Sequence, residues 1–170
     1  MGFLGRMKLH DEIVGHLTNY LILGREYPCS LFGIEVNDAI KIHESLRPLY
    51  NDLTARFVKH QPDLIFIKEE KAYFIDVKTL TRFGTGNFSC EIDSYKVLMD
   101  LVSIGCRVIL VYNTIAELTY NLHACFVDEI KFWYNDERPN LSVKGSRTAY
   151  GLFRQTDSYI KPLDAFLDNL

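Results

Sequence analysis

The chain has 170 residues, 48% of them hydrophobic and 24% charged, with a formal net charge of -3. That is enough chain for one well-cored domain and too little to expect two, and these fractions exclude a disordered tail. Four scattered cysteines (Cys29, Cys90, Cys106 and Cys125) with no C-x-x-C pair argue against a zinc ribbon or a disulfide framework and fit a reducing, cytoplasmic compartment. The N-terminal residues lack an apolar h-region, and no run approaches the roughly 18 apolar residues of a membrane span, so no membrane association is expected. The negative balance lacks the basic excess usual in nucleic-acid binders, although basic residues can still cluster locally.

Leu9 to Leu23 is predicted as an amphipathic helix, with Leu9, Ile13, Leu17 and Leu21 at i, i+4 spacing and Gly24 as its stop. Glu12, His16 and Asn19 fall on another face. Arg25 to Gly33 reads as a loop with one short apolar patch. Asn37 is placed to cap a second helix carrying Ala39, Ile40, His43, Leu46, Tyr50 and Leu53, interrupted at Pro48. Thr54 to His60, in which Ala55, Phe57 and Lys59 alternate with Arg56 and Val58, is predicted as the first strand of a three-strand meander.

The next stretch organises the rest. Leu64 to Ile67 and Ala72 to Val77 are apolar runs flanking Lys68-Glu69-Glu70-Lys71, the pattern of a β-hairpin. A symmetric loop of two or four residues makes Lys68 face Lys71, Ile67 face Ala72 and, further out, Asp63 face Asp76. Glu-Glu lacks the Asn-Gly chemistry of a two-residue turn, so the four-residue loop on a type I turn is preferred; the pairing is the same. A three- or five-residue loop would slip the register by one and send the aspartates to opposite faces. In the symmetric register their Cβ atoms lie about 5 Å apart. Lys78, two residues beyond Asp76, shares their face. Two carboxylates so close repel unless a proton or a cation joins them, and Mg²⁺ suits such a pair.

Thr79 to Asn87 holds Gly84 and Gly86 and reads as a turned loop, either a lid beside the site or a plain connection. A helix is predicted from Ser89 or Cys90 to Ile104, ended by Gly105. Arg107 to Tyr112 is nearly all apolar, as in a strand covered on both faces. Leu122 to Val127 and Ile130 to Tyr134 read as strands, Asp136 to Asn140 as a turn and Lys144 to Arg147 as a basic loop tip. Tyr150 to Arg154 reads as a short strand, and Pro162 opens a terminal helix with Leu163, Phe166, Leu167 and Leu170 at helical spacing. Phe132, Trp133, Tyr134, Lys144, Arg147 and Tyr150 are either core aromatics with surface charges or a basic-aromatic surface for stacking bases.

Pro62-Asp63, followed after the hairpin by Asp76-Val77-Lys78, resembles the signature of the PD-(D/E)XK nuclease superfamily, which includes restriction endonucleases, Holliday-junction resolvases and recombination exonucleases. Carboxylate-x-Lys alone is uninformative and occurs three times here, at Glu69 to Lys71, Asp76 to Lys78 and Glu129 to Lys131. Only the second ends an apolar strand whose partner strand begins at Pro-Asp. The predicted order of helix, three strands, helix and strand is also that superfamily's core arrangement.

The resemblance implies an α/β fold: a restriction-endonuclease-like core whose mixed central sheet is flanked by helices, with a helical insertion before the meander and a C-terminal strand and helix extension. Residues 1–170 would form a single domain. The implied activity is hydrolysis of DNA phosphodiester bonds by an endonuclease dependent on Mg²⁺ or Mn²⁺. Asp63, Asp76 and the backbone carbonyl of Val77 would hold the ion, and Lys78 would position or help deprotonate the attacking water. An acid on the first helix often reaches such a site, which offers Glu12 as a supplementary ligand; its simplest account is a solvated helix face. Where the superfamily often has glutamine-x-x-x-tyrosine, this chain has Glu91 and Tyr95. Glu91 is then a further ligand or a group orienting Lys78, unless it only complements a helix N-terminus, and Tyr95 is a nucleic-acid contact or core packing. Arg56, Lys59 and His60 before the motif, Arg82 after it, and Lys144 and Arg147 further on are candidate nucleic-acid contacts or solvated charges. DNA is preferred over RNA by the resemblance alone, and a homodimer only because cutting both strands calls for two sites. The alternative is a catalytically weak or inactive module of the same fold that binds nucleic acid or protein within a larger complex.

Overall fold

A computed structural model describes residues 3–32, 60–79, 86–114, 120–136 and 149–170. Helix α1, Phe3–Asn19, runs into a π-turn at Tyr20–Gly24. The predicted stripe is the buried one: Leu9, Ile13, Leu17 and Leu21, joined by Val14, face the core.

Among the described residues the central sheet has six strands. Strand β1, Cys29–Leu31, pairs antiparallel with β2, Leu64–Lys68, and β2 with β3, Lys71–Thr79. Strand β3 pairs in parallel with β5, Arg107–Asn113, after the chain has passed through β4, Asn87–Glu91, and helix α2, Ile92–Ser103. Strand β6, Leu122–Phe126, is antiparallel to β5, and the two-residue β9, Lys161–Pro162, closes the far edge. Among the described strands only the β3–β5 pair is parallel, so the sheet is mixed and mostly antiparallel.

Period-two alternation divides the core into two layers. Tyr73, Ile75 and Val77 of β3 pack with α1 and the terminal helix α3, Leu163–Asp168. Phe74 lies on the opposite side, with Leu98 and Leu101 of α2. Strand β5 is buried continuously from Val108 to Asn113, as a strand covered on both faces must be. A second antiparallel sheet, in the order β4, β8 (Tyr150–Arg154) and β7 (Tyr134–Asp136), caps the α2 side. There Phe88 stacks on Tyr112 with ring centroids 4.2 Å apart. Phe132 lies against Gly151, where a Cβ would stand 2.5 Å from Phe132 Cδ1, so only glycine admits the ring.

The hairpin register is the symmetric one: Leu64 faces Ile75, Ile65 faces Phe74 and Lys68 faces Lys71. The loop is the two-residue form, not the four-residue loop preferred from the sequence. Glu69 and Glu70 both take positive φ, 50° and 63°, as a type I′ turn requires.

Other boundaries differ from the expectations. The strand beside β2 is Cys29–Leu31, from the segment read as loop; three residues are too few to display periodicity. With β3 on its other side, β2 has both neighbours assigned. His60 lies in a turn, and residues 54–59 and the expected helix after Asn37 lie outside the described residues. In sequence that stretch lies between β1 and β2. Helix α2 begins at Ile92, because Ser89 and Cys90 belong to β4, whose five-residue alternation was hidden by the helical pattern that follows. Ile130 to Trp133 is not strand; β7 starts only at Tyr134, behind a 3₁₀ turn at Val127–Glu129.

Candidate active site

The paired ladder ends at Leu64–Ile75, and Asp63 is the residue of the chain immediately before it. Val77 N–H donates to Asp63 Oδ2 at 2.6 Å. Asp63 N–H donates to the Ile75 carbonyl at 2.8 Å, and its own carbonyl accepts from Phe32 N–H at 2.7 Å. Three bonds thus fix Asp63 where β2 turns away, with its carboxylate beside β3.

Asp76 is 5% exposed. Lys78 Nζ stands 2.6 Å from Asp76 Oδ2 and donates to Ser94 Oγ, in the first turn of α2, at 3.0 Å. The Lys78–Asp76 contact is a close, charge-assisted ion pair that compensates the buried carboxylate. Burial foremost, with the charge of Asp63, pushes the Asp76 carboxyl up to about 6 against the pull of Lys78 and His10. Burial would lower the Lys78 ammonium, but Asp76 beside it outweighs that and raises it.

The residue of α1 that reaches this patch is His10. Its Nε2 lies 3.4 Å from Asp63 Oδ2 and its Nδ1 3.5 Å from Asp11 Oδ1. Burial works to lower its pKa, yet Asp63, Asp11 and Asp76 together raise it to about 8. Two carboxylates and two cationic groups therefore share one end of the β2–β3 pair.

The site's chemistry fits a divalent ion. A buried carboxylate, a second carboxylate close enough to act on it and a raised carboxyl pKa are what an oxygen-seeking cation would relieve. Among the described residues no three His, Cys, Asp or Glu side chains are arranged so that they could hold a metal ion by themselves. An ion held here would keep water or backbone oxygen in its remaining positions, as Mg²⁺ commonly does.

The sequence matches no family model and no curated protein sequence. The architecture does match solved structures. Hjc, a Holliday junction resolvase from Archaeoglobus fulgidus, superposes with a TM-score of 0.50 at 7% identity, over 92% of this chain and 97% of that one. D212, a nuclease from a fusselovirus, superposes with a TM-score of 0.46 at 15% identity, over 98% of this chain and 90% of that one. The fold is the mixed α/β fold that this chain shares with Hjc.

On this core, Asp63, Asp76 and Lys78 come together as expected, whereas Glu12 does not join them. Glu12 lies two residues, more than half a helical turn, from His10, and pairs with Lys8 at 3.7 Å. Glu91 ends β4 and stands at the N-cap of α2, and the α2 residue that meets Lys78 is Ser94. Tyr95 packs edge-on against Phe132, with centroids 4.8 Å apart, so it belongs to the core layer. Arg56, Lys59, Arg82, Lys144 and Arg147 lie outside the described residues.

His10 and Ser94 were missed, and both left a trace. His10 is in helical step with Ile13, Val14 and Leu17, and Ser94 with Val97, Leu98 and Leu101. A polar residue in line with an apolar stripe is one the fold must satisfy from another element.

Proposed function

We propose that the protein is a divalent-metal-dependent nuclease that hydrolyses phosphodiester bonds in DNA, acting as an endonuclease. One observation carries this reading: Asp63, Asp76 and Lys78 converge at the same end of β2 and β3, on a fold shared with nucleases. Asp63 and Asp76, with the Val77 carbonyl, would hold Mg²⁺ or Mn²⁺. When bound, such an ion lowers the pKa of coordinated water and offsets charge at phosphorus. Lys78 keeps its proton, is anchored by Ser94 and stands at the same carboxylate, where it orients the attacking water and balances charge on the phosphoryl group. His10 holds Asp63 from the α1 side. DNA is preferred to RNA on the fold's associations alone.

The test is relaxation and linearisation of plasmid DNA with and without Mg²⁺ or Mn²⁺. Asp76→Asn is expected to abolish cleavage, and Lys78→Ala to slow it by roughly 10²–10⁴-fold, with both variants keeping the wild-type near-ultraviolet dichroism. Cleavage persisting equally in both folded variants removes the mechanism.

A second reading, a non-catalytic binding module on the same fold, draws on a specific observation: each carboxylate already faces a cationic side chain, Lys78 on Asp76 and His10 on Asp63. Calorimetry separates the two. Millimolar Mn²⁺ that binds the wild type and not Asp76→Asn favours the enzyme, and no binding favours the module.

A further inference from the structure

The second sheet has an inner and an outer face. Phe88 and Cys90 of β4 and Phe153 of β8 are buried in the core layer. By alternation Asn87, Ser89 and Glu91 of β4 and Tyr150, Leu152 and Arg154 of β8 point outward. Tyr134 of β7, opposite Leu152, joins that face. Phe132 turns inward against Gly151, but the next two residues do not follow it: Trp133 is 53% exposed and Tyr134 39%. The Trp133 indole N–H donates to Asn87 Oδ1 at 3.2 Å, on the far side of β8, which lays the indole across the sheet. Tyr134 follows with its centroid 5.9 Å from Trp133, and Tyr150 lies 6.1 Å beyond Tyr134.

A contiguous run of rings, Trp133 and Tyr134 exposed and Tyr150 half-buried, marks a contact surface more often than idle apolar area. Three features give this one its chemistry. The rings carry hydrogen-bonding groups, the exposed Arg154 lies on the same face, and the run ends at Tyr150, across from the strand residue that leads into α2. Tyr150 is the cross-strand partner of Glu91, which opens α2, and Ser94 in the first turn of α2 holds Lys78. Aromatic rings set on a sheet beside a cation accept the flat faces of bases, and only unpaired bases offer those faces; in a duplex they are stacked on one another.

We propose that the outer face of β4, β8 and β7 is a stacking platform for unpaired bases, so that the substrate is a nucleic acid with a single-stranded stretch beside the scissile phosphodiester. This rests on the reading of Asp63, Asp76 and Lys78 as a phosphodiester-cleaving site.

The test uses the full chain in EDTA, so that binding is read without cleavage. Trp133 is the chain's single tryptophan, so its emission reports from the platform itself. A short oligothymidine strand is expected to quench that emission and to bind about tenfold more tightly than a blunt duplex of equal length, as judged by anisotropy of the labelled strand. Tyr150→Ala and Trp133→Ala are each expected to weaken single-strand binding about tenfold and leave duplex binding unchanged. Trp133→Phe, which keeps a ring but loses the indole hydrogen bond, is expected to retain most of the affinity and guards against a folding defect in Trp133→Ala. Equal affinity for duplex and single strand, or indifference of the folded variants to loss of these rings, overturns the proposal. So does sedimentation showing self-association through Trp133 and Tyr134 in place of nucleic-acid binding. Ring-dependent binding without any metal-dependent cleavage overturns the nuclease reading alone. Cleavage without ring-dependent binding overturns the platform alone.

Discussion

Asp76 and His10 are the two groups at the site whose protonation the fold alters most legibly, and both are moved upward. The sign of the consequence is the same for each. The folded Asp76 carboxyl binds a proton more readily than an unfolded one, so its contribution to stability is present below its ordinary value of 3.8 and is lost as pH rises through about 6. His10 contributes fully below 6.5, and that contribution is lost as pH rises through about 8. Metal-free protein is therefore expected to lose stability from these groups between pH 4 and 8. The upper part, from 6.5 to 8, is worth on the order of 2 kcal/mol and should be absent in His10→Asn. Urea titrations in EDTA at successive pH values check this. A His10→Asn curve parallel to wild type over that upper range would show that Asp63 does not hold His10 as described.

The hairpin is the element that aims the site, and its turn is built against the preference of its residues. Glu69 and Glu70 both sit in the left-handed region, which side chains other than glycine occupy at a cost of about 1 kcal/mol or more each. Glu69→Asn combined with Glu70→Gly is expected to raise stability by roughly 1–2 kcal/mol while leaving the register, and so the site, unchanged. The midpoint of denaturant unfolding reads the gain, and cleavage reads the register. A lowered midpoint would mean that the turn is not left-handed. The other element that matters locally is α2, which places Ser94 under Lys78. Its start at Ile92, not at Ser89 or Cys90, leaves β4 available to carry the second sheet.

Across the whole molecule, two layers of side chains on opposite faces of one mixed sheet hold α1 and α2 so that His10 and Ser94 approach the same strand end from two sides. A ligand that binds only this assembled arrangement must stabilise the folded state by linkage. Mn²⁺ at about 100 times its Kd is expected to add roughly 3 kcal/mol to unfolding. That appears as a raised Tm for wild type that is absent in Asp63→Ala and in Asp76→Asn. An equal rise in all three would place the ion elsewhere.

The sequence by itself determined the parts whose physics is local. The apolar stripe of α1, the continuous burial of β5 and the pairing of the hairpin follow from side-chain periods that any reader of residues 9–23, 107–113 and 64–77 can count. With the hairpin came the meeting of Asp63 and Asp76, and with period two came Lys78. Tertiary structure alone decided the rest. That Cys29–Leu31 takes the place beside β2 depends on an edge made available by β2 itself. That His10 and not Glu12 meets Asp63 depends on how α1 crosses the sheet, an angle set by packing against β3. That Phe132 is core while Trp133 lies exposed depends on a glycine eighteen or nineteen residues away in sequence and in direct contact in space. Periodicity reports which face of an element is apolar; only contact between elements decides which polar groups at their ends are brought together.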